Sequence, residues 1–144
     1  MNLASESNDL RPSRWRIAVV RSILMLWASP GSILGLIAGT AGVATGGGYQ
    51  LHTGVLEFHG GAVAYFLNQI PIQAAAITFG HVVLGQSPAA LDFTRAHERV
   101  HVRQYERWGP FFIPAYLSFS AILWMMGKDA YRDNPFEVEA YAKS

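Results

Sequence analysis

Between Arg21 and Asp92 the chain carries a single charged side chain, Glu57. A water-soluble domain spreads charge over most of its surface, roughly a quarter of its residues, whereas only 15% of this chain is charged. So long an uncharged stretch predicts contact with lipid. From Ser22 to Thr45 the run SILMLWASPGSILGLIAGTAGVAT has no charge at all. As a helix rising about 1.5 Å per residue it is longer than the roughly 30 Å hydrocarbon layer. Pro30-Gly31 interrupts its first half, so residues 15–45 have two readings, a spanning anchor or a re-entrant hairpin that turns at the break. Arg11, Arg14, Arg16 and Arg21 come before or at its start. By the positive-inside rule they put the N-terminus in the cytoplasm, with a bacterial inner membrane as the expected location. A cleaved signal peptide ending near Ala41-Gly42-Val43-Ala44 is a third reading, disfavoured because the apolar run exceeds a usual signal core. Gly31, Gly35 and Gly39 recur every four residues, the spacing that lets a second helix come close in lipid.

The 144 residues suit one folded unit preceded by a polar tail over 1–14. A net charge of +1 provides no broad basic face for nucleic acid. The absence of cysteine excludes a disulfide framework, a thiolate nucleophile and cysteine-based zinc fingers. Any metal ion must therefore be held by His, Asp or Glu.

After Gly46-Gly47-Gly48 the pattern changes. Tyr49–Phe58 and Ala62–Leu67 read as two strands joined by a turn at Gly60-Gly61. Ile72–Leu84 has the β-rich Ile77-Thr78-Phe79 and Val82-Val83 in its second half, which predict strand there. Leu91–Trp108 lacks Gly and Pro and stops at Gly109-Pro110, so it predicts a helix. Phe111–Met126 is apolar, is interrupted by Pro114, and is near or below the length of a span, about 17 residues. Pro135–Ala142 predicts a short helix with Pro in its first turn.

On the Leu91–Trp108 helix, residues four apart share a face, so His97 and His101 can offer two imidazoles to one ion. Glu98 beside them completes the HExxH arrangement, in which the glutamate accepts a proton from the water that the metal activates. A catalytic zinc usually has a third protein ligand. No histidine follows Trp108, and the acids there are Asp129, Asp133, Glu137 and Glu139. Arg95, Arg99, Arg103 and Arg107 recur every four residues on nearly the opposite side of the helix. They read as a solvated face pairing with Asp92 and Glu106 in preference to a lipid-headgroup contact. His52, His59 and His81 read as structural histidines, with transition-state stabilisation as the alternative role for His81.

This combination resembles the gluzincin metallopeptidases, in particular the membrane group that contains the CAAX prenyl proteases and the bacterial heat-shock membrane peptidases. Those proteins pair HExxH with a later E-x-x-x-D, often E-x-E-A-D, which Glu137-Val-Glu139-Ala140-Tyr141 resembles. The resemblance covers about residues 90–144. It implies zinc held by His97, His101 and Glu137, with Glu139 as the alternate ligand, and Glu98 as the catalytic base. It also implies an α+β, minimal zincin-like domain over 46–144, with a small antiparallel sheet or hairpin, the HExxH helix, a C-terminal ligand helix and the apolar segment 111–126. By analogy Gly54–Phe58 or Ala62–Leu67 would supply the strand that lies along a polypeptide substrate. Tyr141 stands where the family has Asp, so the contact that steadies a ligand histidine passes to Asn134 or Glu139. The tail also resembles small bacterial membrane proteins with HExxH and NPFE-type motifs and no activity attached.

The expected function is a membrane-associated zinc metallopeptidase with lipid and polypeptide as partners. The alternative is a non-enzymatic small membrane protein, either an assembly factor or an inactive metal-binding remnant. A transporter or channel subunit would need more spans and an intramembrane charged pair. Joining Glu137 to the histidines also demands that Phe111–Met126 not carry the chain across the bilayer.

Overall fold

The computed structural model describes residues 14–72 and 74–144, so the tail expected over 1–14 lies, Arg14 apart, outside the described residues. Six helices are present among those residues: α1 (Arg14–Trp27), α2 (Ser29–Ala44), α3 (Gly61–Gln69), α4 (Pro88–Trp108), α5 (Phe112–Met125) and α6 (Pro135–Lys143). Four strands, β1 (Gly48–His52), β2 (Val55–His59), β3 (Ala76–Phe79) and β4 (Val82–Gly85), form one sheet in the order β1-β2-β4-β3. The chain is α+β. The expected antiparallel sheet is a mixed one, because the central pair β2–β4 runs parallel and only the two outer pairs are antiparallel.

Two tight turns account for the outer pairs. Thr53 and Gly54 both have positive φ, 47° and 81°, which a two-residue turn matched to strand twist requires. Gly80, at φ 62°, opens the second turn, between β3 and β4. The reading of Tyr49–Phe58 as a single strand missed the first of these turns and therefore merged β1 with β2. Ala62–Leu67, expected as a strand, belongs to α3. Val63 and Leu67 lie four apart and are both buried, so the helical period orders this segment.

The sheet is covered on both faces. Phe58, Val82 and Leu84 pack with Val63 and Leu67 of α3 on one side. Val55, Ala76 and Val83 pack with Leu91 and Val102 of α4 on the other. Helix α2 lies on the α3 side, pressed close by its glycines. A Cβ at Gly35 would sit 2.7 Å from the Val82 side chain, and one at Gly39 would sit 2.3 Å from the Phe58 ring. The four-residue glycine stripe therefore receives the sheet and Tyr105 where a second membrane helix was expected. Gly42 packs on Val63 in the same way, so α2 belongs to the same packed body as 46–144, and residue 45 marks no boundary in the core.

The outer surfaces are apolar. Helix α1 buries none of its residues and exposes Trp15, Ile17, Val20, Ile23 and Leu26. Helix α2 exposes Ile33, Leu34 and Ile37, and α5 exposes Leu117, Ile122, Trp124 and Met125. Helices α4 and α5, joined through a single 3₁₀ turn at Gly109–Phe111, together make a stretch Pro88–Met125 that is long and apolar enough to cross a membrane by length and composition. Its charged residues all precede Trp108, which confines the apolar part to 108–125. Helices α1 and α2 meet at 68°, with the break at Ala28, just before Pro30.

Glu57, the one charge in the apolar half, is 2% exposed and faces α4. Arg95 donates to both of its oxygens, at 3.1 and 3.0 Å, and Gln50 donates to one at 2.7 Å. Arg99 stands 3.7 Å away. The expected i,i+3 pair Asp92–Arg95 is present at 2.7 Å. Two of the four stripe arginines thus clamp the sheet, in addition to facing solvent. Burial by itself would raise the Glu57 carboxyl, but the hydrogen bonds from Arg95 and Gln50 and the charges of Arg95 and Arg99 hold it below its ordinary value. A folded-state pKa below the unfolded one gives stability that is full above the unfolded value and is lost as pH falls. Glu57→Ala should cost about 3–5 kcal/mol of stability near neutral pH and flatten the acid limb of the stability curve. Denaturant unfolding in detergent from about pH 3 to 7 measures both, and a wild-type curve would contradict the clamp.

Candidate metal centre

Helix α4 starts where Ser87 accepts a hydrogen bond from the Ala90 N–H at 3.1 Å, with Pro88 in the first turn. It ends at Gly109, whose φ of 54° a helix cannot continue through. Between these ends, the four-residue spacing brings the Nε2 atoms of His97 and His101 to 3.1 Å of each other. Glu98 projects beside them and is buried, its Oε2 accepting from the Thr78 hydroxyl of β3 at 2.6 Å. Burial is the main influence on this carboxyl and raises it above its ordinary value.

Two anchors aim Glu137 at the histidines. Asn134 caps α6, its Oδ1 accepting from the Phe136 N–H at 3.1 Å. Its Nδ2 donates to the Tyr116 carbonyl and the Ser120 hydroxyl, tying α6 to α5. Phe136 then inserts among aromatic rings, with centroids 4.9 Å from Phe112 and 5.5 Å from Trp108. The next residue, Glu137, puts Oε2 3.2 Å from His97 Nε2 and Oε1 3.4 Å from His101 Nε2. Tyr116 donates its hydroxyl to Oε1 at 2.7 Å.

These separations suit a metal ion. Ligand atoms about 2.0–2.1 Å from a tetrahedral ion lie about 3.3–3.4 Å from one another; the two imidazole nitrogens are 3.1 Å apart, and the carboxylate meets them with one oxygen each, Oε2 3.2 Å from His97 and Oε1 3.4 Å from His101. Glu137 Oε2 is buried and has no hydrogen bond among the described residues. A buried carboxylate oxygen left in that condition is costly unless a cation meets it. Burial alone would raise the Glu137 carboxyl, yet the two imidazoles and the Tyr116 hydroxyl hold it at about 2.

The ring orientation of His101 follows from its neighbour. Gln104 is fully buried and its amide nitrogen donates to the Phe136 carbonyl and to Glu139 Oε2, both at 2.9 Å. The amide oxygen is thereby left facing His101 Nδ1, 2.8 Å away, and accepts its proton. His101 Nε2 then carries the lone pair that a metal takes. The contact expected of Asn134 or Glu139 is thus made by Gln104, with Glu139 supporting it from behind and Asn134 acting as a helix cap. Glu139, the alternate ligand, turns away from the histidines toward Gln104, Arg107 and Lys143. Tyr141, where the resembling peptidases have Asp, lays its ring 4.6 Å from that of His97. His81 points its Nε2 at Glu106, 3.0 Å away, and stays outside the centre, as do His52 and His59 at the ends of β1 and β2.

His97, Glu98, His101 and Glu137 border a cavity of about 250 Å³ that is otherwise mostly apolar, with Ile77, Ile113, Tyr116 and Leu117 among its walls. The strand beside it is β3, a correction to the expected Gly54–Phe58 and Ala62–Leu67. The first of those lies inside the sheet as β2, between β1 and β4, and the second is helical. Among the described residues β3 is an edge strand and pairs only with β4. In that register Ile77 and Phe79 exchange bonds with Leu84 and Val82, so the main-chain groups of Ala76 and Thr78 point to the free edge. Thr78, Gln104 and Tyr116 were not singled out from the sequence. Only Gln104, one turn beyond His101 on the same helix, left a signal there.

Comparison with models of known families, with curated proteins and with solved structures finds no match.

If the centre takes a metal ion, Gln104→Leu should weaken the binding of added zinc, used as the probe, about 10- to 100-fold through the loss of the His101 orientation. Competition against a chelator of known affinity measures this, and an unchanged affinity would remove Gln104 from the centre.

Proposed function

We propose that the protein is a membrane-associated zinc metallopeptidase of the gluzincin kind, with His97, His101 and Glu137 as ligands and Glu98 as the general base. The observation that carries the reading is the buried Glu137 carboxylate set against both imidazoles, its unpartnered Oε2 3.2 Å from His97 Nε2 and its Oε1 3.4 Å from His101 Nε2. Two nitrogens and a carboxylate oxygen form a donor set that zinc favours. When bound, zinc lowers the pKa of a water to about 7 and polarises a substrate carbonyl.

The chain's own groups perform the rest. Glu98 is not in the ligand set, and with its Oε2 fixed by Thr78 it keeps Oε1 to accept the proton of the attacking water. The same carboxyl then delivers that proton to the leaving amine. Its burial suits the task, because a raised carboxyl is a stronger base than an exposed one. Tyr116 holds Glu137 in place through its hydroxyl. The free edge of β3 offers Ala76 and Thr78 main-chain groups to an extended polypeptide, and the apolar walls receive one of its side chains.

The membrane part of the reading rests on the apolar surfaces of α1, α2 and α5. Glu137 lies against His97, so α4 and α6 share one side of the bilayer. Helix α5 then dips into the membrane or lies along its interface and returns.

Glu98→Gln should retain one zinc per chain and lose at least about 100-fold in hydrolysis of casein or a membrane-protein substrate. Full activity in that variant would remove Glu98 as the general base, whereas a wild-type chain that holds no zinc would return the protein to the non-enzymatic reading. Thr78→Val should lower kcat with zinc retained and with a smaller loss, because it frees Glu98 without removing it.

A further inference from the structure

A second cavity, of about 190 Å³, lies on the far side of α4 from the metal centre. Its walls come from three elements that the sequence keeps far apart. Arg21 and Met25 belong to α1, Thr53 and Gly54 to the β1–β2 turn, and Arg99, Arg103 and Glu106 to α4; His81 also borders it. Three guanidinium groups thus border one small polar space. We propose that this cavity binds the phosphate of an anionic phospholipid headgroup.

The charge balance favours an anion. Glu106 is the only acid in the wall, and His81 Nε2 meets it at 3.0 Å. Glu57, the nearest acid behind the wall, is taken by Arg95 and Arg99. Arg99 spends further donors on the carbonyls of His52 and Thr53, which fixes it in place. Arg103 has no ion pair and no hydrogen bond among the described residues. Arg21 reaches toward the turn, where a Cβ on Gly54 would stand 3.1 Å from its Nη2. A planar guanidinium is well matched to phosphate oxygens.

The lipid source, as opposed to a free phosphate, follows from what adjoins the cavity. Helix α1 forms one wall with Arg21 and Met25, while Val20, Ile23 and Leu26 face outward and no residue of α1 is buried. From Val20 onward α1 has Arg21 on one side and a bare apolar surface on the other, an arrangement that sits at the headgroup level with acyl chains against its outer face. The inference rests on the membrane association proposed above and is independent of the metal.

The test uses the full chain in dodecyl maltoside, titrated calorimetrically with short-chain phosphatidylglycerol, short-chain phosphatidylcholine and inorganic phosphate. Phosphatidylglycerol is expected to saturate at one per chain and to bind at least about fivefold more tightly than phosphatidylcholine, the effect of about one well-placed cation. Arg103→Gln should weaken phosphatidylglycerol about fivefold and leave phosphatidylcholine unchanged, and Arg103→Lys should recover most of the loss. Equal binding of the two lipids, or an Arg103→Gln variant that folds and binds phosphatidylglycerol like wild type, overturns the site while leaving membrane association intact. Inorganic phosphate binding as tightly as phosphatidylglycerol overturns the lipid assignment in favour of a soluble phosphate. Failure of the chain to associate with either lipid in vesicles of the long-chain forms overturns the membrane reading itself.

Discussion

The architecture depends on α4 burying polar side chains and on each of them needing a partner from a different element. Glu98 takes the Thr78 hydroxyl from β3, and Gln104 takes the Phe136 carbonyl and Glu139 from α6. The oxygen of Gln104 in turn fixes His101. On the side facing β2, Arg95 meets the buried Glu57. An unsatisfied group in such a position costs about 1–3 kcal/mol, so these bonds dictate where the sheet and α6 may sit. Glu137 Oε2 is the acceptor that this set leaves over. It lies 3.2 Å from His97 Nε2, with the other oxygen of the same carboxylate 3.4 Å from His101 Nε2, which is why the geometry of the fold and the proposal of a metal cannot be separated.

The part of the site that is local in sequence could be read in advance. His97, Glu98 and His101 lie within two turns of one helix, and helical period alone places them. Glu137 was legible only through its motif, since nothing in the spacing says that Phe136 will insert between Trp108 and Phe112 and so aim its neighbour. Thr78 was invisible for the same reason, because its role depends on strand β3 passing under α4. The fold was misread where two glycine signals competed. Gly60-Gly61 looked like the hairpin turn, while Thr53-Gly54, with a positive φ on a threonine, is the turn. Once that turn is placed, Ala62–Leu67 is free to follow the four-residue spacing of Val63 and Leu67 and become helix.

The glycine stripe of α2 has a different meaning in the fold from the one its spacing suggested. Small residues every four positions allow close approach to any flat partner, and the partner here is the sheet, through Val82 and Phe58. The outward faces of α1, α2 and α5 remain apolar. The molecule therefore has a core that is packed within itself and a large apolar exterior that water does not suit. The proposed peptidase cavity and the proposed phosphate cavity lie on opposite sides of α4, so a lipid contact made through α1 would orient the helix that carries the histidines.

X-ray absorption at the zinc edge, recorded on the purified full chain and on Glu137→Ala, tests the central claim most directly. The account expects one zinc per wild-type chain, with two imidazole nitrogens and one carboxylate oxygen at about 2.0–2.1 Å, and the loss of that oxygen in Glu137→Ala. A chain that holds no zinc, or a ligand shell that Glu137→Ala leaves unchanged, would contradict it.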